Sequence, residues 1–367
     1  MFDRRLVQYF DWGLLGLAVL IGCIGLLTLY SAVTAETPTP QKILFYKQML
    51  WFSMGLFAMV TTFLFNYKIL DRWAQPIYFV CIFLLIAVLF FGKYVGGSKR
   101  WLIIGPLSFQ PSELVKIAVI LSLGHYYSKD AKTRGFTLRE LIRPLMITLL
   151  PVILIGMQPD LGTAGLVVLI SASMTVFVKI ERRSFAYLIA SGGVLAPLIW
   201  FFLKAYQKKR ILVFLDPDRD PLGAGYHIIQ SKIAIGSGML SGKGFLKGTQ
   251  NALSFLPEEH TDFIFSVLAE EWGFFGSVTL VLLFLILIFW GLTVAHGCRE
   301  PFGTIVAVGI TGMIFWQVFI NIGMSMGLMP VVGVPLPFVS YGGSSVLTTA
   351  VAIGLLLNVS MRRFMLE

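Results

Sequence analysis

Apolar residues in this chain come in long blocks, not at the alternating or three-to-four spacing of a half-buried strand or a water-facing helix. A helix needs roughly 20 apolar residues to cross a hydrocarbon core about 30 Å thick. Ten blocks approach that length, at 11–33, 44–66, 73–92, 111–128, 143–157, 161–179, 185–204, 263–291, 301–325 and 343–361. The fifth is short, and Pro144, Pro151 and Pro159 interrupt the fifth and its junction with the sixth. The pattern predicts an all-α integral membrane protein, a single polytopic domain over 1–367 with about ten transmembrane helices.

One long polar stretch, 204–262, breaks the pattern between helices 7 and 8. It holds Lys204, Lys208, Lys209 and Arg210, an acidic turn from Asp216 to Pro221, and spaced glycines from Gly236 to Gly248. Loops beyond about 12 to 15 residues are usually functional or disordered, and the Ile, Phe and Leu content here argues for a folded lid. Within it, Tyr226, Ile229 and Ile233 share one helical face, as expected of a helix lying in the interface. The glycines with Lys243 and Lys247 offer backbone N–H groups, but Gly242-Lys243-Gly244 lacks the P-loop spacing and reads as a turn.

Composition and charge set the class and the orientation. With 57% hydrophobic and 13% charged residues, the chain is not an ordinary soluble domain. Basic residues concentrate in one set of connections: Arg4, Arg5, Lys68, Arg72, the group from Lys129 to Arg143, Lys179 to Arg183, Arg299, Arg362 and Arg363. The short loops of the other set hold only Lys42, Lys47, Lys93, Lys99 and Arg100. The positive-inside rule therefore puts both termini in the cytoplasm and the long loop outside. The net charge of +10 is a topology signal, and no nucleic-acid partner is implied. Cys23 and Cys81 lie in spans and Cys298 in an inner connection, so no disulfide framework is expected.

The chemistry gathers at the outer ends. Gln110-Pro111-Ser112-Glu113 opens the fourth span, with Glu113 in its first turn and Lys116 at i+3. That spacing suits an intrahelical ion pair, while an amine one turn inside a membrane helix is also a functional signal. Asp160 either caps the sixth helix or adds an acid to the outer side. Asp262 opens the eighth span, and positions 262, 266 and 270 share a face, so Asp262, Ser266 and Glu270 are expected to look into one cavity. Glu270 and Glu271 need a partner inside the span, and Lys116 is the candidate. The apolar, turn-rich segment 329–345 is expected to line the same cavity, buried in protein. A transporter would carry repeats and midplane charges; the sequence shows neither.

Gln110-Pro111-Ser112-Glu113 with Lys116, Gln158 to Thr163, Phe214 to Ala234, Leu256 to Gly273 and Pro330 to Ser344 resemble the SEDS (shape, elongation, division, sporulation) family over nearly the whole chain. The forms at Asp220 to Lys232 and Pro330 to Pro337 resemble its elongation branch, with a departure at Ser108, where some relatives carry arginine. The resemblance implies a peptidoglycan glycosyltransferase of the bacterial cytoplasmic membrane that polymerises lipid II at the outer face for elongation and rod shape. It also implies a class B penicillin-binding protein as partner, alongside other elongation-complex proteins. Asp262 is carried over as the general base. Glu113, Lys116, Asp160, Arg210, Lys47, Gln110, Glu270 and Ser344 are the expected substrate-binding residues. No cofactor is required on this reading, though a divalent cation, magnesium or manganese, on Asp262 or Glu113 is an alternative to basic side chains at the leaving pyrophosphate. The rival readings are a lipid II flippase and a non-catalytic scaffold of the elongation complex.

Overall fold

The computed structural model describes residues 10–34, 42–95, 98–104, 107–129, 135–202, 205–220, 223–252 and 260–363. A helix stands on each of the ten predicted blocks. They are α1 (Trp12–Thr34), α2 (Lys42–Leu64), α3 (Tyr67–Phe91), α4 (Pro111–Lys129), α5 (Leu138–Met157), α6 (Leu161–Phe177), α7 (Arg182–Phe202), α11 (Ile264–Gly297), α12 (Pro301–Ser325) and α13 (Gly343–Arg362). Seven are long and apolar enough to cross a membrane, and α6 is apolar but shorter. Six short elements cap one end of the bundle, here called the outer end. These are the antiparallel meander β1 (Lys93–Val95), β2 (Ser98–Ile104) and β3 (Leu107–Phe109), with helices α8 (Ala205–Leu215), α9 (Ala224–Ser237) and α10 (Thr249–Ala252).

Several boundaries differ from the hydropathy pattern for local reasons. The third helix begins at Tyr67, not 73, because Asn66 accepts the Lys68 amide as an N-cap and the polar first turn still winds as helix. The fifth begins at Leu138, not 143, on a Thr137/Glu140 capping box. The eighth runs to Gly297, six residues past the expected 291, and Gly273 interrupts it at φ 63°, ψ −157°. The part after this kink, Phe274 to Gly297, suffices to span about 30 Å at about 1.5 Å per residue. Glu270 and Glu271 therefore lie in a short collar before the spanning part.

Burial identifies the inside of the bundle. In α13, 89% of the apolar window is buried and in α12 72%, against 22–39% in the other five long helices. Helix α4 joins them as a central element, buried from Val115 through Gly124 on nearly every side. A helix enclosed by protein can carry Glu113 and Lys116, which explains why α4 is less apolar than its neighbours. At the other end Asp11 ties three helices together, accepting from Trp290 Nε1 at 2.9 Å, Ser360 Oγ at 3.1 Å and the Leu14 amide at 3.2 Å.

The described part of the long loop is folded, as expected. In α9 the packed face is Ile228, Ser231 and Ala234, while Ile233, expected on the apolar face, is 45% exposed. Tyr226 and Ile229 of the same stripe are half-buried, so the stripe lies at the edge of the packed face, with Ile233 outward. The glycine turn is not a phosphate cradle. The amides of Gly242, Lys243 and Gly244 donate to the carbonyls of Gly238, Glu270 and Glu271. The exit 253–259, with Glu258 and Glu259, and the loop start at Lys204 lie outside the described residues.

At Gly273 a β-carbon would come 2.3 Å from the Gly242 nitrogen, and the backbone lies in a region that other residues avoid. Gly273→Ala is expected to lower stability by about 1 to 3 kcal/mol. Gly16→Ala, a helical site with no atom within 4 Å of the added carbon, should be neutral or gain up to about 1 kcal/mol. Thermal unfolding of the two detergent-solubilised variants checks the contrast.

Candidate active site

The segment from Pro330 to Gly342 enters the outer end of the bundle without regular structure, and Val334, Leu336, Val339 and Ser340 are each at most 2% exposed. Buried backbone needs partners, and they come from α12, α2, the stretch before α11 and the segment's own Ser340. Asn321 of α12, fully buried, donates from Nδ2 to the carbonyls of Val334 at 2.8 Å and Asp262 at 3.1 Å. Ser340 Oγ donates to the Thr261 carbonyl at 2.6 Å and accepts the Leu336 amide at 2.8 Å. Gln48 of α2 donates from Nε2 to the Ser340 carbonyl and accepts the Gly342 amide at Oε1, both at 3.2 Å. The Tyr341 amide donates to the His260 carbonyl at 2.9 Å. Burial pushes the Tyr341 phenol up, so it stays neutral.

This segment is where Asp262 is placed. Its backbone is held by Asn321, and Gly333, at φ 72°, packs so near that a β-carbon would lie 3.3 Å from Asp262 Oδ2 and the carboxylate would have to shift slightly. Asp262 precedes α11, which starts at Ile264, and is only half-buried. The expected common face of 262, 266 and 270 therefore does not form. Ser266 Oγ lies 2.6 Å from Ser231 Oγ on α9, and Glu270 turns to the glycine loop.

A second group surrounds the start of α4. The Gln110 amide donates to Ser344 Oγ at 3.0 Å, while its Nε2 donates to Asp160 Oδ2 and to Ser112 Oγ, each at 3.0 Å. Asp160 caps α6 through the Thr163 amide and hydroxyl, and Arg100 of β2 reaches it at 3.5 Å. Gly162, in the first turn of α6, packs so closely on the central segment that a β-carbon would meet the Val332 oxygen at 2.3 Å. The segment 330–342 thus touches Asp262 on one side and the Asp160 helix on the other.

Lys116 pairs with Glu113, at 2.8 Å to both carboxylate oxygens, with both residues at most 3% exposed. This overturns the expected pairing of Lys116 with Glu270. Glu270 Oε1 instead accepts from Lys243 Nζ at 2.6 Å, the Thr249 amide at 2.8 Å and the Gln250 amide at 3.1 Å. Glu271 takes the Ser31 hydroxyl. The two collar glutamates latch the glycine turn and α10 to α11, which is a fastening role and not the substrate contact expected of Glu270. Glu113 has both oxygens on one ammonium, so it does not fit the metal role expected of it with Asp262. Among the described residues no three His, Cys, Asp or Glu side chains gather as a metal site.

Lys47 and Arg210 are exposed, on α2 and α8, and no contact among the described residues ties them to Asp262. Gln48, one position from Lys47, is the residue of α2 that enters the site. Gln48, Asn321 and Arg100 escaped the sequence reading of the site, whereas Ser340 falls in the segment expected to line it. Asn321 and Gln48 carried a usable signal, since each is an amide inside an apolar helix, where polar groups need internal partners.

The family model for FtsW, RodA and SpoVE, described as cell cycle protein, matches residues 11–364. The chain is 42% identical over 343 residues to the peptidoglycan glycosyltransferase MrdB of Escherichia coli (strain K12), covering 93% of this chain and 92% of that protein. It is 34% identical to the peptidoglycan glycosyltransferase RodA of Treponema pallidum (strain Nichols), covering 98% and 99%. Among solved structures, it superposes with TM-score 0.82 at 32% identity on a chain of a peptidoglycan synthase complex, covering 97% of this chain and 98% of that one. With the rod shape determining protein RodA of Thermus thermophilus the TM-score is 0.71 at 30% identity, covering 97% and 98%. This chain belongs to the FtsW/RodA/SpoVE family of integral membrane proteins.

Proposed function

We propose that this chain is a peptidoglycan glycosyltransferase that joins lipid II units into glycan strands at the outer face of the bacterial cytoplasmic membrane. The observation that carries the reading is a contrast among the outer carboxylates. Glu113, Asp160 and Glu270 are at most 3% exposed, beside Lys116, Gln110 and Lys243, whereas Asp262 is half-buried on a held backbone. A general base must reach its proton within about 2.6 to 3.2 Å, and among these four Asp262 is the least buried.

In the reaction, Asp262 takes the proton of the acceptor sugar hydroxyl as its oxygen attacks the anomeric carbon of the donor. The bond from that carbon to the pyrophosphate oxygen breaks, and the electron pair leaves with the lipid pyrophosphate. Single displacement inverts the centre, turning an α-linked pyrophosphate into a β-glycosidic bond. The exposed Lys47 and Arg210 are the cations able to meet the developing pyrophosphate charge. Lys116 is sealed against Glu113, so its part is to hold the first turn of α4 and, through Gln110, Asp160 and Ser344. No step is routed through a metal ion. A class B penicillin-binding protein is the proposed partner, supported by the likeness to the solved peptidoglycan synthase complex.

The test is lipid II polymerisation by the purified chain with its cognate transpeptidase. Asp262→Asn should cut strand formation by about 10² to 10⁴-fold while lipid II binding persists. Normal polymerisation by that variant would remove Asp262 from the chemistry.

The buried ion pair gives a separate expectation. Lys116→Met leaves Glu113 enclosed without its counter-charge and should cost about 3 to 5 kcal/mol. The double variant Glu113→Gln/Lys116→Met should recover most of that loss. Folded yield and thermal unfolding of single and double variants measure it.

A further inference from the structure

At the opposite end from Asp262, α5, α6 and α7 enclose a groove of about 620 Å³. Its walls are the first half of α5, the second half of α6 and the first half of α7. These are the halves that the basic connections Arg139 to Arg143 and Lys179 to Arg183 assign to the cytoplasm. The lining is almost wholly apolar, with Ile142, Leu145, Val168 and Ile189 also exposed on the outside of the bundle, so the groove opens toward lipid. Among the described side chains of α7 only Ser184 is buried, so that helix covers the groove without filling it.

Three observations identify what fits. The wall of α5 from Leu138 to Thr148 rises about 15 Å at about 1.5 Å per residue, half of a core about 30 Å thick. That is the depth of one leaflet. The mouth is cationic: Arg139 lines it, and Arg143, Arg182 and Arg183 are exposed at the same ends of α5 and α7. Finally, Ser171 lines the groove at 5% exposure, and its hydroxyl has no hydrogen-bond partner. Such a group needs an acceptor, and the ester carbonyls of a glycerolipid sit just below the headgroup.

We propose that this groove is a binding site for one anionic phospholipid of the cytoplasmic leaflet. Its acyl chain lies between α5, α6 and α7, its phosphate meets the arginine rim, and an ester carbonyl accepts from Ser171. The site is separate from the polymerase reading, whose substrate headgroup faces the other leaflet, and the test does not use activity.

The test is native mass spectrometry of the delipidated full chain, titrated separately with phosphatidylglycerol and phosphatidylethanolamine, and then, loaded with phosphatidylglycerol, challenged with undecaprenyl phosphate. The wild type should retain phosphatidylglycerol about tenfold or more over phosphatidylethanolamine. Arg139→Gln/Arg143→Gln, on exposed side chains, should remove that preference, and Ser171→Ala should weaken retention of phosphatidylglycerol. Ala172→Trp, which fills the groove, should weaken both phospholipids; Arg182→Gln/Arg183→Gln provides a second rim variant should the first fold poorly. Equal retention of the two phospholipids, a preference unchanged in both rim variants, or displacement of phosphatidylglycerol by undecaprenyl phosphate would each overturn the proposal.

Discussion

The outer end of this molecule depends on one constraint: a stretch of irregular backbone from Pro330 to Gly342 is buried at the head of a membrane bundle and must find all its hydrogen bonds inside the protein. A helix would satisfy those groups internally, whereas this segment draws on Asn321, Ser340, Gln48 and the backbone at His260. Asn321 and Gln48 reach in from α12 and α2, Ser340 belongs to the segment itself, and the His260 carbonyl accepts from Tyr341. Satisfying this one segment therefore brings α2, α12 and the approach to α11 into register, and Asp262 is placed as a consequence. Asn321 shows the economy, since one amide group holds the Val334 and Asp262 carbonyls together. The carboxylate beside Gly333 is thus placed through its own backbone, at a position that is only half-buried.

The remaining charges of the outer end divide by burial. Glu113 with Lys116 is a fully buried charged pair, where breaking the pair costs far more than making it contributes, and Glu270 is a buried carboxylate paired with the partly exposed Lys243. Such pairs act as locks that specify geometry. The first fixes the opening turn of α4, to which Gln110, Asp160 and Ser344 are joined. The second fastens the glycine turn before the approach to Asp262. Lys47 and Arg210 sit at the other extreme, exposed and able to move. A site that must grip a charged substrate and release it needs both kinds.

The sequence announces the ten helices because lipid demands long apolar runs, and it announces Glu113, Lys116, Asp160 and Asp262 because charges beside such runs are costly. What it hides follows from geometry across elements. Lys243 lies 27 positions from Glu270, so no helical spacing could pair them, and the nearer-seeming Lys116 was already matched at i+3. On α2 the charge of Lys47 draws notice, yet it is the neighbouring Gln48 that enters the site. Neighbouring residues on a helix point about 100° apart, and the amide faces inward. The kink at Gly273 was hidden too, because hydropathy is continuous across it, and with it went the true depth of Glu270 and Glu271. Short strands such as Leu107–Phe109 leave too little pattern to read.

The distribution of buried charge bears on what kind of device this is. Among the described residues the buried charged side chains are Glu113, Lys116, Asp160, Glu270 and Glu271, all at the outer end. The polar groups at the opposite end, Asp11 with Trp290 and Ser360 and Asp71 with His125, are helix fasteners near the surface. Between them α4, α12 and α13 pack chiefly apolar side chains from Val115, Ile310 and Ile353 outward. Moving a charged headgroup through such a core would expose it to a medium where each unpaired charge costs several kcal/mol, and no described ladder of ionisable groups is there to relay it. Chemistry confined to one leaflet needs no such ladder. It needs an enclosed, rigid floor beneath the reacting groups, which these three helices provide.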